Sequence, residues 1–163
     1  HWRVKYKFTF MKNTVALSFI LISTLVFSQD YKTAIGIKGG YPGFGSLNAK
    51  HFISEKSALE ATFGGMSREN YGKGAFVILD YEIQNSLESS FSWFYGGGGL
   101  LGFTTNDTGT TKLQLGINST VGIEYTFEEV PINCSLNMGP LIFVSPEVRF
   151  NWGGGLSIRY AIR

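Results

Sequence analysis

The stretch KLQLGINSTVGIEYTF, residues 112–127, alternates between two chemistries for most of its length. Leu113, Leu115, Ile117, Ser119, Val121, Ile123, Tyr125 and Phe127 occupy the odd positions, while Gln114, Gly116, Asn118, Thr120, Gly122, Glu124 and Thr126 occupy the even ones. This is period two, the repeat of a strand and not of a helix. Successive strand side chains point to opposite faces, so one face is apolar and ends in aromatics while the other is small and polar. In a soluble barrel the apolar face turns inward onto a core; in a membrane barrel it turns outward to lipid and the polar face lines the interior.

After residue 30 the chain shows no helical periodicity and offers eight alternating or apolar runs separated by turn residues. They fall at 32–41, 46–53, 57–66, 73–83, 90–102, 112–127, 131–144 and 150–162. The connectors 54–56, 84–89 and 128–130 are tight or acidic. Those at 67–72, 103–111 and 145–149 are longer or richer in Asn, Gly and Thr, and they alternate with the first kind. Short turns at one end and longer loops at the other are expected of a membrane barrel. The connector Pro42–Gly45 is short for its side. The predicted fold is all-β, an eight-stranded antiparallel up-and-down transmembrane β-barrel.

Phasing the other runs with the first puts Ile35, Ile37, Leu59, Phe63, Val77, Leu79, Leu136, Met138, Leu156 and Ile158 on one face without charge. Lys38, Lys50, Glu60, Asp80, Glu82, Glu124 and Arg159 fall on the other face, three positive and four negative. A lipid-facing Lys or Arg at mid-bilayer costs ~2–4 kcal/mol, so a charge-free face is what lipid contact selects. Seven inward charges must pair, because an unpaired buried charge is far more costly than a matched one. The expectation is an interior ion-pair network that plugs a polar interior, since eight strands leave room only for side chains. Tyr81, Trp93, Tyr95, Tyr125, Phe127, Trp152 and Tyr160 cluster towards strand ends on the apolar face, as aromatic girdles at two membrane interfaces do. Composition points the same way: only 16% of residues are charged, against roughly 25–35% on an ordinary soluble surface. The competing reading is a secreted, soluble, lipocalin-like barrel with Leu, Ile and Trp around an apolar ligand.

Met11-Lys12 followed by VALSFILISTLVFSQD has the layout of a cleaved secretory signal over 11–28, with the barrel domain at 29–163. Its apolar run falls short of the ~20 residues that a spanning helix needs. Residues 1–10 read as an upstream extension outside the mature chain. A single cysteine, Cys134, excludes an internal disulfide and a Cys-rich zinc site. Acidic and basic residues nearly balance, so no nucleic-acid footprint is visible. GGGLLG at 97–102 matches the dinucleotide fingerprint formally, but that fingerprint must open a helix and FTTNDTGTT follows, so no cofactor is expected. Asp80 and Glu82 stand two apart on one face, which fits the interior charge set better than an acid/base pair.

The signal ending FSQD and the segments IKGGYPGF (37–44), KHFISEKSALE (50–60), GIEYTFEEVPIN (122–133) and WGGGLSIRY (152–160) resemble small eight-stranded outer-membrane β-barrels of Gram-negative bacteria of the Bacteroidetes type. That resemblance implies a monomer in the cell outer membrane, lipid as its surroundings, and the barrel-assembly machinery as a partner during biogenesis. Such barrels commonly end on an aromatic residue. Here Leu156, Ile158, Tyr160 and Ile162 keep the alternation, but Ile162 replaces the aromatic and Arg163 follows. The implied role is structural or interaction-based, displaying loops 67–72, 103–111 and 145–149. Some relatives of this kind are lipid-modifying enzymes that carry a His with acidic or Ser partners near the outer rim. His51, the one histidine after residue 30, instead sits beside the turn 54–56 and phases outward, so no catalytic residue is assigned.

Overall fold

The computed structural model describes residues 31–162, so the signal segment, the upstream extension and Arg163 lie outside the described residues. Within that range the chain forms eight strands: β1 (Thr33–Tyr41), β2 (Ser46–Phe52), β3 (Ser57–Arg68), β4 (Gly72–Ser86), β5 (Phe91–Thr105), β6 (Thr111–Thr126), β7 (Ile132–Ser145) and β8 (Arg149–Ile162). Each pairs antiparallel with the next, and β8 pairs back onto β1 from Thr33↔Ile162 to Tyr41↔Gly154, closing the barrel. Closure pairs the two outer strands of the sheet with each other.

The period-two pattern carries through to the side chains. In β6, Gln114, Thr120, Glu124 and Thr126 are buried in the barrel, while Leu113, Ile117, Val121, Ile123 and Tyr125 are exposed on its outer wall. The same holds around the barrel: Ile35, Ile37, Leu59, Phe63, Leu79, Leu136, Met138, Leu156 and Ile158 all face outward. One end carries both ends of the described chain and the connections 53–56, 87–90 and 127–131; we call it the terminal end. The far end carries 42–45, 69–71, 106–110 and 146–148.

Three expectations fail here. The far-end connections are no longer than those of the terminal end, because the segments read as loops continue as strand. Arg68 pairs with Gly72, Lys73 with Thr105 and Thr105 with Thr111. Ser and Thr resemble turn residues in a sequence, yet here they form a polar rim on strands that still alternate. That rim also carries Lys73, which lies on the outward face, so the charge-free face stops one residue short of the β3–β4 turn.

The interior is likewise not polar throughout. Tyr31, Ala34, Phe52, Ala58 and Ala161 form an apolar layer at the terminal end. Met66, Phe76, Leu100, Leu141 and Phe143 form a second towards the far end. The runs FVIL (76–79), GLL (99–101) and PLIFV (140–144) place apolar residues on both faces, which hides the inward ones from an alternation argument.

Gly98 of β5 explains how β4 and β6 communicate across the strand between them. It pairs with Asp80 on one side and Asn118 on the other. Having no side chain, it lets Asn118 Nδ2 donate to Asp80 Oδ1 at 2.7 Å. A Cβ at Gly98 would lie 1.7 Å from the Leu79 carbonyl oxygen and 2.6 Å from Asp80 Oδ1, whereas one at Gly99 meets only the Gly116 oxygen at 3.5 Å. Gly98→Val should therefore cost about 1–3 kcal/mol or more through overpacking, while Gly99→Val leaves stability nearly unchanged. Urea unfolding of the two refolded variants checks the contrast.

Candidate functional site

Between the two apolar layers the barrel holds its charges. Eight inward faces converge there, and every polar group has lost most of its water, so partners must come from other strands. Arg159 of β8 supplies the central connection. Its guanidinium contacts Glu60 of β3, lies 3.3 Å from Glu124 of β6, donates to Asn133 Oδ1 of β7 at 2.8 Å, and donates to Asn48 of β2. Lys50 of β2 is fully buried and sits 2.9 Å from both Glu82 and Glu124. Its ammonium also lies 4.3 Å from the centre of the Phe94 ring, where the ring face favours a cation. Lys38 reaches Glu60 at 2.8 Å.

Neutral groups complete the arrangement. Glu124 Oε1 accepts from Tyr31 and from Gln84 Nε2, both at 2.7 Å, while its Oε2 takes Lys50 and Arg159. Asn48 Nδ2 donates to Glu60 Oε1 at 3.0 Å and to Thr62 Oγ1 at 2.9 Å. The Tyr31 hydroxyl stays a donor, because burial and then the Glu124 carboxylate raise its pKa well above the usual tyrosine value.

Six of the seven sequence-identified charges are thus linked: Lys38, Lys50, Glu60, Glu82, Glu124 and Arg159. Asp80 is inward and buried but makes no ion pair among the described residues; its cross-strand neighbour is Glu60, a like charge, and it turns to Asn118 instead. Like charges directly opposite repel, and Lys38 goes to Glu60. Parity alone marks Asn48 and Gln84, each two positions from a marked charge, and Asn133, between the outward-phased Ile132 and Cys134, as inward, but only their partners reveal a role. Arg68 was hidden in a segment read as loop. It is buried near the far end, donates to Gln114, and stacks 4.1 Å from the Phe143 ring centre and 5.0 Å from that of Tyr71.

Of the seven outward aromatics, Tyr81, Trp93, Tyr95, Tyr125, Phe127 and Tyr160 stand in the terminal half, and only Trp152 stands in the far half. Phe103, Phe150, Tyr41 and Phe44 join Trp152 there, all exposed. His51 is exposed on β2, and its Nδ1 meets Thr33 Oγ1 at 2.8 Å. Between the charge layer and the far apolar layer remains a cavity of about 40 Å³, bordered by Lys38, Asp80, Asn118, Thr120, Asn137 and Phe76. That is room for a few waters, since one needs about 10–15 Å³ on this measure.

No family model, no curated protein and no solved structure matches the chain.

The arrangement yields a test of the cluster. Removing one partner from a buried charge group leaves the others uncompensated and costs about 3–5 kcal/mol. Arg159→Met is expected to destabilise the barrel by that amount. Arg159→Met combined with Glu60→Gln should cost clearly less than the sum of the two single changes, measured by urea unfolding in a double-mutant cycle.

Proposed function

We propose that this chain is an outer-membrane β-barrel of a Gram-negative cell, a monomeric, non-enzymatic structural protein whose closed interior conducts nothing larger than water. One observation carries the reading: the barrel wears most of its aliphatic and aromatic side chains on the outer wall and keeps its ion pairs inside. Monomeric soluble proteins rarely expose contiguous apolar patches beyond a few hundred Å², and here an apolar band runs round the whole barrel. Lipid is the solvent that suits such a wall, and a closed barrel satisfies the hydrogen bonds of its paired strands without water. Strands of 12 to 16 residues in β3 to β8 exceed the ~9–11 that a tilted strand needs to cross.

Aromatic residues near both ends of the outer wall support the same reading as interface anchors. The terminal end would face the periplasm and the far end the outside. The far-end turns are too short to form long displayed loops, so the interaction surface this reading offers is the rim itself: Tyr71, Lys73, Lys112, Glu147 and Arg149 with the turn 106–110.

The secreted lipocalin-like alternative needs an apolar cavity. Ligand pockets usually span about 300–1,000 Å³, against the 40 Å³ chamber inside this barrel. The lipid-modifying alternative needs a base with a nucleophile or an orienting acid beside it. His51 does meet a hydroxyl, that of Thr33, but the pair lies on the outer wall at the terminal end, away from the far-end rim where such sites stand.

Ile117→Arg separates lipid from water as the outer solvent. Ile117 lies mid-strand and 57% exposed. In lipid, folding into phosphatidylcholine vesicles should weaken by about 2–4 kcal/mol, whereas on a soluble surface the change stays within about 0.5 kcal/mol. The wild-type protein should sediment with outer membranes and need detergent for release. Recovery in a soluble fraction without detergent would overturn the proposal.

A further inference from the structure

The wall of the barrel is incomplete above the β1–β2 hairpin. β2 has only seven residues. It pairs with β1 no further than Lys38↔Ser46 and with β3 no further than Ser46↔Gly64. β1 nevertheless runs on to Tyr41, held by β8, and β3 runs on to Arg68, held by β4. Between Gly39–Tyr41 and Gly65–Arg68 no strand intervenes. The connector Pro42–Gly45 fills the gap: Gly43 is packed so tightly that a Cβ would lie 2.4 Å from the Gly65 oxygen and 2.7 Å from the inward Phe76 ring.

Outside this seal lies a groove. Phe44 projects from it 95% exposed, with hollows of about 560 Å³ and 470 Å³ beside it. Both fall in the range of small-ligand sites. Ile37, Leu47, Phe63 and Ala75 give the groove apolar walls, and Gly39, Gly45 and Gly65 give it a floor. These glycines are not required by the fold. A Cβ at Gly45 meets nothing within 4 Å, and those at Gly39 and Gly65 meet a single carbonyl oxygen at 3.5 and 3.7 Å. Glycine weakens a strand and often marks a place where another molecule approaches the backbone. At the far-end rim of the groove stands Lys73, the one charged residue on the outward face of the described strands.

We propose that this notch holds one acyl chain of an anionic membrane lipid, lying along Phe44 over the glycine floor with its headgroup at Lys73. The proposal rests on the membrane reading above. The slot is mostly apolar, Lys38 on its inner side being tied to Glu60, and it ends at Lys73, which matches a lipid that has a tail and a negative head. A cation at the membrane surface favours anionic lipid about fivefold.

The test uses the barrel refolded into phosphatidylcholine vesicles containing a minority of phosphatidylglycerol with a diazirine in its acyl chain, followed by peptide mapping of the photoadducts. Adducts are expected to concentrate on residues 37–47 and 63–75. Gly45→Leu, or Gly65→Leu as a second filling variant, should remove that concentration several-fold without lowering the unfolding midpoint. Lys73→Gln should abolish the roughly fivefold preference over the same probe on phosphatidylcholine. Adducts spread evenly round the eight strands, or unchanged in both filling variants, would overturn the proposal, as would crosslinks joining two barrels through this face. A protein that does not float with the vesicles fails the membrane reading instead, so the two failures are distinguishable.

Discussion

Arg159 is shut off from bulk solvent. Its guanidinium lies inside a closed barrel, and only carboxylates and amides from four other strands make that position tolerable: Glu60, Glu124, Asn48 and Asn133. Uncompensated, such a charge would cost several kcal/mol in a low-dielectric interior. The strands that supply its partners are distant in sequence, so the arrangement exists only once β8 has met β1 and closed the sheet. It also resists slippage. Shifting one strand by a single residue would turn its charges onto the outer wall and its aliphatic residues inward, an error penalised on both faces at once. The apolar layers above and below, at Phe52 and Ala58 and at Phe76 and Phe143, keep water from relaxing that penalty.

The inversion follows from this interior. A chain that fills the middle of its barrel with Lys50, Glu60, Glu82, Glu124 and Arg159, between two small apolar layers, has no room inside for most of its aliphatic residues. Those residues lie outside, where only an apolar solvent or an apolar partner makes them favourable. The membrane reading and the interior cluster are therefore two sides of one constraint. The shortened β2 is the place where the wall departs from that regularity, and the glycines and Phe44 around it give the outer surface a groove.

The strands and their two faces were legible in the sequence because alternation is a local property of an extended backbone. Lys38, Lys50, Glu60, Asp80, Glu82, Glu124 and Arg159 could be assigned inward from parity alone. What escaped was equally physical. Thr104, Thr105, Thr111 and Arg68 resemble loop chemistry but continue the ladder, since hydrogen bonds to a neighbouring strand outweigh a weak turn preference. Phe76, Leu141 and Phe143 lay within continuous apolar runs where both faces look alike, so the apolar half of the interior was invisible. The outward aromatics were found mainly at one end because those at the other, Phe103 and Phe150, adjoin segments read as loops.

The sequence by itself determined that eight strands alternate and that nearly all their charges share one face, because the Cβ direction reverses at every residue whatever the rest of the chain does. It did not determine who pairs with whom. The stagger of eight strands round a closed barrel decides whether an inward carboxylate meets a cation or an amide. That is why Glu60 and Asp80, side by side on β3 and β4, part company: Glu60 finds Lys38 and Arg159, and Asp80 reaches over Gly98 to Asn118. The notch at Phe44 is of the same kind. It exists because β1 and β3 outrun β2, a difference in pairing length that no single strand contains.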